Sequence, residues 1–290
     1  MINRRTILAA LPCFAARAAF AQEAALPAFD AAALRAYEQA SGGKVGAFAL
    51  NVVTGQRIGW RADERFVMCS TFKASLAAMT LARIDRGEDR LDAAVRYREA
   101  YLQEYAPVAR DNLAKGAMSV GEMCKAAVEL SDNTCANLLL ARGGGPAALT
   151  AFWRASGDSI SRLDHNEPEL NRTPPGGLED TTTPAAMAGN LQRFVLGDVL
   201  TPASRAQLTD WLVNCQTGAK RLRGGLPGDW RIGDKTGNNG KEGFGDIAVA
   251  WPTPARPMVL ALYTRGGAPK PADVEEVFRQ FATSAAQRLA

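Results

Sequence analysis

An α/β fold in two parts is predicted by three observations. Strand patterns are confined to the two ends of the chain, helical patterns fill the middle, and a helix lies at each terminus. One sheet drawn from both termini satisfies this order. The prediction is therefore an α/β sandwich, an antiparallel sheet with terminal helices, made from about 22–66 and 215–290, with an all-α subdomain at about 67–214 inserted.

In chain order, 31–40 reads as a helix and the alternating apolar run 45–53 as a strand; the Thr54-Gly55 turn and 57–60 complete a hairpin. From Ser70 to Arg86 the residues fit a long helix closed by Gly87, with apolar positions around the whole axis, so it should be buried. Helical patterns continue to about Asn214, among them 119–130 and a helix from near Ala136. They are broken at Pro107, at 143–146 and in the Pro-Gly-rich stretch 167–177. Strands return at 230–236, 245–251 and 257–264, and an amphipathic helix over 274–289 closes the chain.

With 290 residues, 47% hydrophobic and 22% charged, the chain can bury a full core. Residues 1–21 read as an export signal, with a basic start at Arg4-Arg5, an apolar stretch and an Ala19-Phe20-Ala21 cleavage site. Asn3-Arg4-Arg5-Thr6-Ile7-Leu8 also fits a twin-arginine signal, so both export routes stay open. Removing the signal takes Arg4, Arg5 and Arg17 and no acid, and the formal charge falls from +4 to +1. Nothing after residue 21 clusters Lys and Arg with aromatics as a nucleic-acid surface does, and nothing there is apolar enough to span a membrane. The expectation is a soluble periplasmic monomer with no membrane anchor after cleavage. Cys69, Cys124, Cys135 and Cys215 remain. On one continuous helix Cys124 and Cys135 would be roughly 16 Å apart, too far to bridge, and buried free thiols are expected. With His165 as the one histidine and no C-x-x-C, no conventional zinc site can be assembled; no metal or cofactor is implied.

Three short motifs carry the chemistry: Ser70-Thr71-Phe72-Lys73, Ser131-Asp132-Asn133 and Lys235-Thr236-Gly237. Three-residue spacing puts the Ser70 hydroxyl and the Lys73 amine on one face of a first helical turn, where the helix dipole favours negative charge on the serine oxygen. A serine needs a base to become a nucleophile, and Lys73 can supply one. Between the second and third motifs lies Glu167-Pro168-Glu169-Leu170-Asn171, whose carboxylate could activate water.

In this order the motifs resemble those of the class A serine β-lactamases, over nearly the whole chain from about Leu26 to Leu289. The resemblance implies hydrolysis of the β-lactam amide of penicillins and cephalosporins through an acyl-enzyme on Ser70. Lys73 and Glu167 would manage the proton, Ser131 would protonate the leaving nitrogen, and Glu167, with Asn171, would activate the deacylating water. Asn133 would bind the acylamide carbonyl, and Lys235 and Thr236 the substrate carboxylate. Gly237 would leave room for a ligand along the strand edge. The N–H groups of Ser70 and Asn238 would form the oxyanion hole, Tyr105 the aromatic wall, and Arg221 would support carboxylate binding. The Glu167-Pro168 bond would be cis. The three short motifs alone are shared with D-alanyl-D-alanine peptidases, whose pattern lacks the deacylating glutamate, so Glu167 and Asn171 argue against that reading; a non-hydrolytic β-lactam sensor domain should be tethered to a membrane span, and none is read here beyond the cleavable signal.

Two departures stand out. His165 occupies a place where most relatives carry an arginine paired with an aspartate, here Asp180, which implies a weaker tie, a more mobile loop over 162–180 and easier entry of bulky cephalosporins. Cys69 has no cysteine to meet after the third motif, where the chain reads Asn238-Asn239-Gly240, so strong carbapenem hydrolysis is not expected.

Overall fold

The computed structural model describes residues 31–174 and 176–290; the signal segment at 1–21 lies outside them. The chain opens with helix α1 (Ala32–Ser41), strands β1 (Lys44–Asn51) and β2 (Arg57–Trp60), and the short β3 (Phe66–Val67). A 3₁₀ turn, Cys69–Thr71, leads into α2 (Phe72–Asp85), followed by β4 (Ala94–Arg96), α3 (Pro107–Asp111), β5 (Ala117–Ser119), α4 (Val120–Glu129), α5 (Asn133–Gly143) and α6 (Pro146–Ala155). Next come β6 (Thr181–Thr182), α7 (Pro184–Val195), α8 (Pro202–Val213) and α9 (Leu222–Gly225). Strands β7 (Arg231–Asn238), β8 (Phe244–Trp251) and β9 (Met258–Arg265) and helix α10 (Pro271–Leu289) complete the chain.

The main sheet has the order β2-β1-β9-β8-β7, so strands from the two ends of the chain meet where β1 pairs antiparallel with β9. Alternating side chains divide its two faces. Val259, Ala261 and Tyr263 of β9 join the core shared with α2, α4, α5 and α7, whereas Met258, Leu260 and Leu262 pack with Leu34 of α1 and Phe278 and Phe281 of α10. Both faces are covered, which is why β8 and β9 read as nearly continuous apolar runs. Truncating a residue such as Leu260 or Leu76, both fully buried, to alanine would cost about 2–5 kcal/mol.

Helix α2 is buried from Phe72 to Ala82, as its all-round apolar pattern predicts. Helix starts follow local chemistry. Ser119 and Glu122 form a reciprocal capping box on α4, Asp132 caps α5 by accepting from Cys135 N–H, and Thr183 and Thr201 cap α7 and α8, each with proline next in line.

Three details differ from the sequence expectation. Ser70 lies in the 3₁₀ turn before α2 rather than within the α-helix. Helix α5 begins at Asn133, not near Ala136, because Asp132 acts as its cap. Two short ladders, β3 with β6 and β4 with β5, lie outside the main sheet. The first ties the end of the 162–180 loop to the chain just before Ser70 through Phe66↔Thr182 and Val67↔Thr181.

Candidate active site

Ser70 is presented by a strained turn. Cys69 has φ +45°, rare for a residue with a side chain, and is held in place by Thr71 N–H and Thr71 Oγ1, which both donate to Met68 O. Lys73, the second residue of α2 and three residues after Ser70, donates from Nζ to Ser70 Oγ at 2.8 Å, and Ser70 Oγ in turn donates to Glu167 Oε1 at 3.1 Å. The Lys73 ammonium also lies 3.1 Å from Glu167 Oε1, and both side chains are almost wholly shielded from solvent. Such a pair is tolerable only if its remaining hydrogen-bonding positions are filled. Ser131 O at 2.9 Å and Asn133 Oδ1 fill them for the lysine.

Ser131 has φ +61° in the connection between α4 and α5. Its conformation is fixed from both sides: Lys73 binds its carbonyl, and Asp132 accepts from the N–H groups of Val108, Ala109 and Cys135. Ser131 Oγ consequently sits between two lysines, 3.4 Å from Lys73 Nζ and 3.1 Å from Lys235 Nζ. Burial pushes the Lys235 ammonium down to about 8. Its other bond goes to Thr236 O at 2.7 Å, and the Thr236 hydroxyl meets that of Thr217 at 2.6 Å.

The Glu167 carboxylate comes from the far wall. The Glu167-Pro168 bond is cis. Glu167 N–H donates to Asn137 Oδ1 at 2.9 Å while Asn137 Nδ2 returns a bond to Glu167 O at 2.8 Å. Asn171 Nδ2 donates to Glu167 Oε2 at 2.7 Å, and Asn171 Oδ1 is a buried acceptor with no partner among the described residues. The structure thus gathers Ser70, Lys73, Ser131, Asn133, Glu167, Asn171 and Lys235 around one point. Tyr105 stands beside them, half exposed, with its carbonyl accepting from Asn133 N–H.

Gly237 and Arg221 each have a further part in the backbone around the site. A Cβ on Gly237 would lie 2.9 Å from Met68 O, Cys69 Cβ and Ser70 N. The glycine is therefore required by the Ser70 turn packing on β7, and this contact brings Ser70 N–H beside the strand that ends at Asn238. Arg221 donates from Nη1 to Gly237 O at 2.8 Å and Gly245 O at 2.7 Å, and its guanidinium packs between the Phe244 and Phe278 rings. That nitrogen is committed to backbone carbonyls, so Arg221 braces the end of β7. Sequence reasoning missed Asn137; its one available signal is position, four residues after Asn133 on the same helix face.

The loop neck is tied more fully than His165 suggested. His165 Nδ1 meets Asp180 Oδ2 at 2.7 Å, Asp180 Oδ1 accepts from the N–H groups of Asp164 and His165, and Arg162 pairs with Asp164. The buried Asp180 carboxylate raises the His165 pKa above its ordinary value. The four described cysteines are buried and unbridged. Cys124 and Cys135 lie on separate helices, α4 and α5, rather than on one. Among the described residues no group of three acidic, histidine or cysteine side chains could hold a metal ion.

A nucleophilic serine joined to a buried lysine and a carboxylate, on an α/β sandwich with a helical insert, defines a serine hydrolase working through acyl transfer. The model of the beta-lactamase enzyme family matches residues 31–289, and the chain belongs to that family, in its class A. It is 51% identical over 234 residues to Beta-lactamase L2 of Stenotrophomonas maltophilia, covering 80% of this chain and 77% of that one. Identity to the carbapenem-hydrolyzing beta-lactamase KPC of Klebsiella oxytoca is 46% over 229 residues, 79% of this chain and 78% of that one. Among solved structures, an ancestral (GNCA) class A β-lactamase superposes with TM-score 0.84 at 51% identity, covering 88% of this chain and 97% of that one. A β-lactamase from Xanthomonas campestris gives 0.86 at 43% identity, over 89% and 97% of the two chains.

Proposed function

We propose that this chain hydrolyses the β-lactam amide of penicillins and cephalosporins through an acyl-enzyme on Ser70, and so confers β-lactam resistance. The observation that carries the reading is the double contact of Glu167 Oε1, to Ser70 Oγ and to Lys73 Nζ, with Asn171 holding the other carboxylate oxygen. In acylation the Ser70 proton leaves toward Glu167 or Lys73 as Oγ attacks the lactam carbonyl. The Ser70 and Asn238 N–H groups receive the oxyanion. Ser131 passes a proton to the ring nitrogen and is resupplied by the flanking lysines. Lys235 and Thr236 hold the substrate carboxylate, Asn133 the acylamide carbonyl, Tyr105 lines the entrance, and Arg221 and Gly237 keep the strand end and the Ser70 turn in register. In deacylation Glu167 takes a proton from water, for which the unpartnered Asn171 Oδ1 is a ready acceptor.

The export signal at 1–21 supports action in the periplasm, and a site complete within one chain supports action as a monomer. One relative is named for carbapenem hydrolysis; with Cys69 unbridged, weak carbapenem turnover is proposed here. The test is purified protein with a hundredfold excess of a chromogenic cephalosporin. Many turnovers per site support the reading, and a single-equivalent burst that stops overturns it.

A further inference from the structure

The connection between α8 and α9 lies against β7 and is pinned there. Cys215 N–H donates to Leu212 O at 3.2 Å, and Gln216 N–H donates at 3.0 Å to the carbonyl of Glu129, the last residue of α4. A Cβ on Gly218 would run into the Asp234 carboxylate, so glycine lets the segment lie flat on the strand. Thr217, held between these points, sets its hydroxyl 2.6 Å from that of Thr236 and 3.3 Å from Cys215 Sγ. Thr236 and Cys215 are both buried, and the Thr236 hydroxyl has no other partner among the described residues.

A hydroxyl has one proton and two lone pairs, so the direction of the Thr217–Thr236 bond decides what Thr236 offers a ligand. If Thr236 donates to Thr217, it turns only lone pairs toward a carboxylate. If Thr217 donates, the Thr236 proton is free for that carboxylate. Cys215 favours the second arrangement. Burial and the nearby Asp234 carboxylate push its thiol pKa up, so the sulfur keeps its proton and can donate to a lone pair of Thr217 Oγ1.

Resting on the hydrolytic reading above, we infer that Thr217 is a positioning residue: in a relay from Cys215 S–H through Thr217 O–H, it turns the Thr236 proton toward the substrate carboxylate. The relay ends on a group remote from the bond that breaks, so it acts on binding rather than on the chemical steps. Loss of one such hydrogen bond changes affinity about twofold to tenfold, and the weak thiol donor contributes less.

The test measures kcat and KM for a chromogenic cephalosporin with its ring carboxylate free and for the methyl ester of that carboxylate, in the natural protein and in Thr217→Val, Thr217→Ser and Cys215→Ala. Valine keeps the shape and removes the hydroxyl. KM for the acid should rise about twofold to tenfold with kcat little changed, and the acid-to-ester ratio of kcat/KM should fall by the same factor. Serine should restore both, and Cys215→Ala should raise KM for the acid by no more than about twofold. If Thr217→Val does not fold, Thr217→Ala is read in the same way. A natural KM for the acid without the hydroxyl, an equal loss for acid and ester, or no rescue by serine overturns the inference while leaving hydrolysis standing. Failure of the natural protein to turn over the acid overturns the hydrolytic reading, and this inference with it.

Discussion

Gly237→Ala tests how the Ser70 turn is held. The added methyl carbon would sit 2.9 Å from Met68 O, Cys69 Cβ and Ser70 N. Two of these are backbone atoms, so no side-chain rotation relieves the clash, and either β7 or the turn must move. Overpacking of this kind costs about 1–3 kcal/mol, which for a chain of this size lowers Tm by roughly 2–10 °C. Because Ser70 N is one of the crowded atoms, the displacement also misplaces an oxyanion donor. Complete loss of such a donor costs about 10²–10³ in rate, so a partial shift should slow acylation about 10- to 100-fold. Thermal melting and stopped-flow acylation by a chromogenic cephalosporin read the two effects separately. If the glycine instead makes room for a ligand, KM would rise and Tm would stay within about 1 °C, and the steric reasoning would be refuted.

Other consequences can be read from single residues. Asp180 raises the His165 pKa, so the pair stabilises the loop neck fully below the ordinary histidine value of about 6.5, and that stability is lost as pH rises through the folded-state value. The ring is half exposed, which limits the gain to about 1 kcal/mol. The Tm advantage of His165→Arg over the natural protein should therefore grow between about pH 6 and pH 9, and parallel curves would count against the pair. Burial holds Lys235 down to about 8, and only its charged form binds the substrate carboxylate; kcat/KM should fall as pH rises through this value, and Lys235→Arg should move the limb upward. Asn137→Ala removes both bonds that hold the Glu167 backbone, at about 1 kcal/mol each. Deacylation should slow by about 10- to 30-fold with acylation less affected, as single-turnover kinetics would show.

The main sheet was legible because β1 shows apolar alternation and β8 and β9 are apolar runs of strand length bounded by Gly and Pro, and α2 because its apolar residues surround the axis. The reactive residues were legible because Ser70, Lys73, Ser131, Glu167 and Lys235 sit in short local motifs. What escaped depends on tertiary partners. Two-residue strands such as Phe66–Val67 carry too few side chains for a period, and their ladder exists only once Thr181–Thr182 is brought beside them. The role of Gly237 is set by a turn 167 positions earlier in the sequence. Arg221 was read as a support for carboxylate binding, and only the folded chain shows that two strand carbonyls also accept from its Nη1. His165 looked like a weaker tie by charge alone, but the chain around it adds backbone bonds to Asp180 that no side-chain comparison reveals.

The central claim is that Glu167 drives deacylation from its position against Ser70 and Lys73. Glu167→Gln keeps the shape and removes the base, so it isolates that role. Mixed with a good cephalosporin and followed by intact-protein mass spectrometry, the variant should carry one acyl adduct per chain on Ser70 that persists for many natural turnover times, while the natural protein clears its adduct and keeps cycling. Turnover by the variant at the natural rate, with no adduct accumulating, would contradict the account.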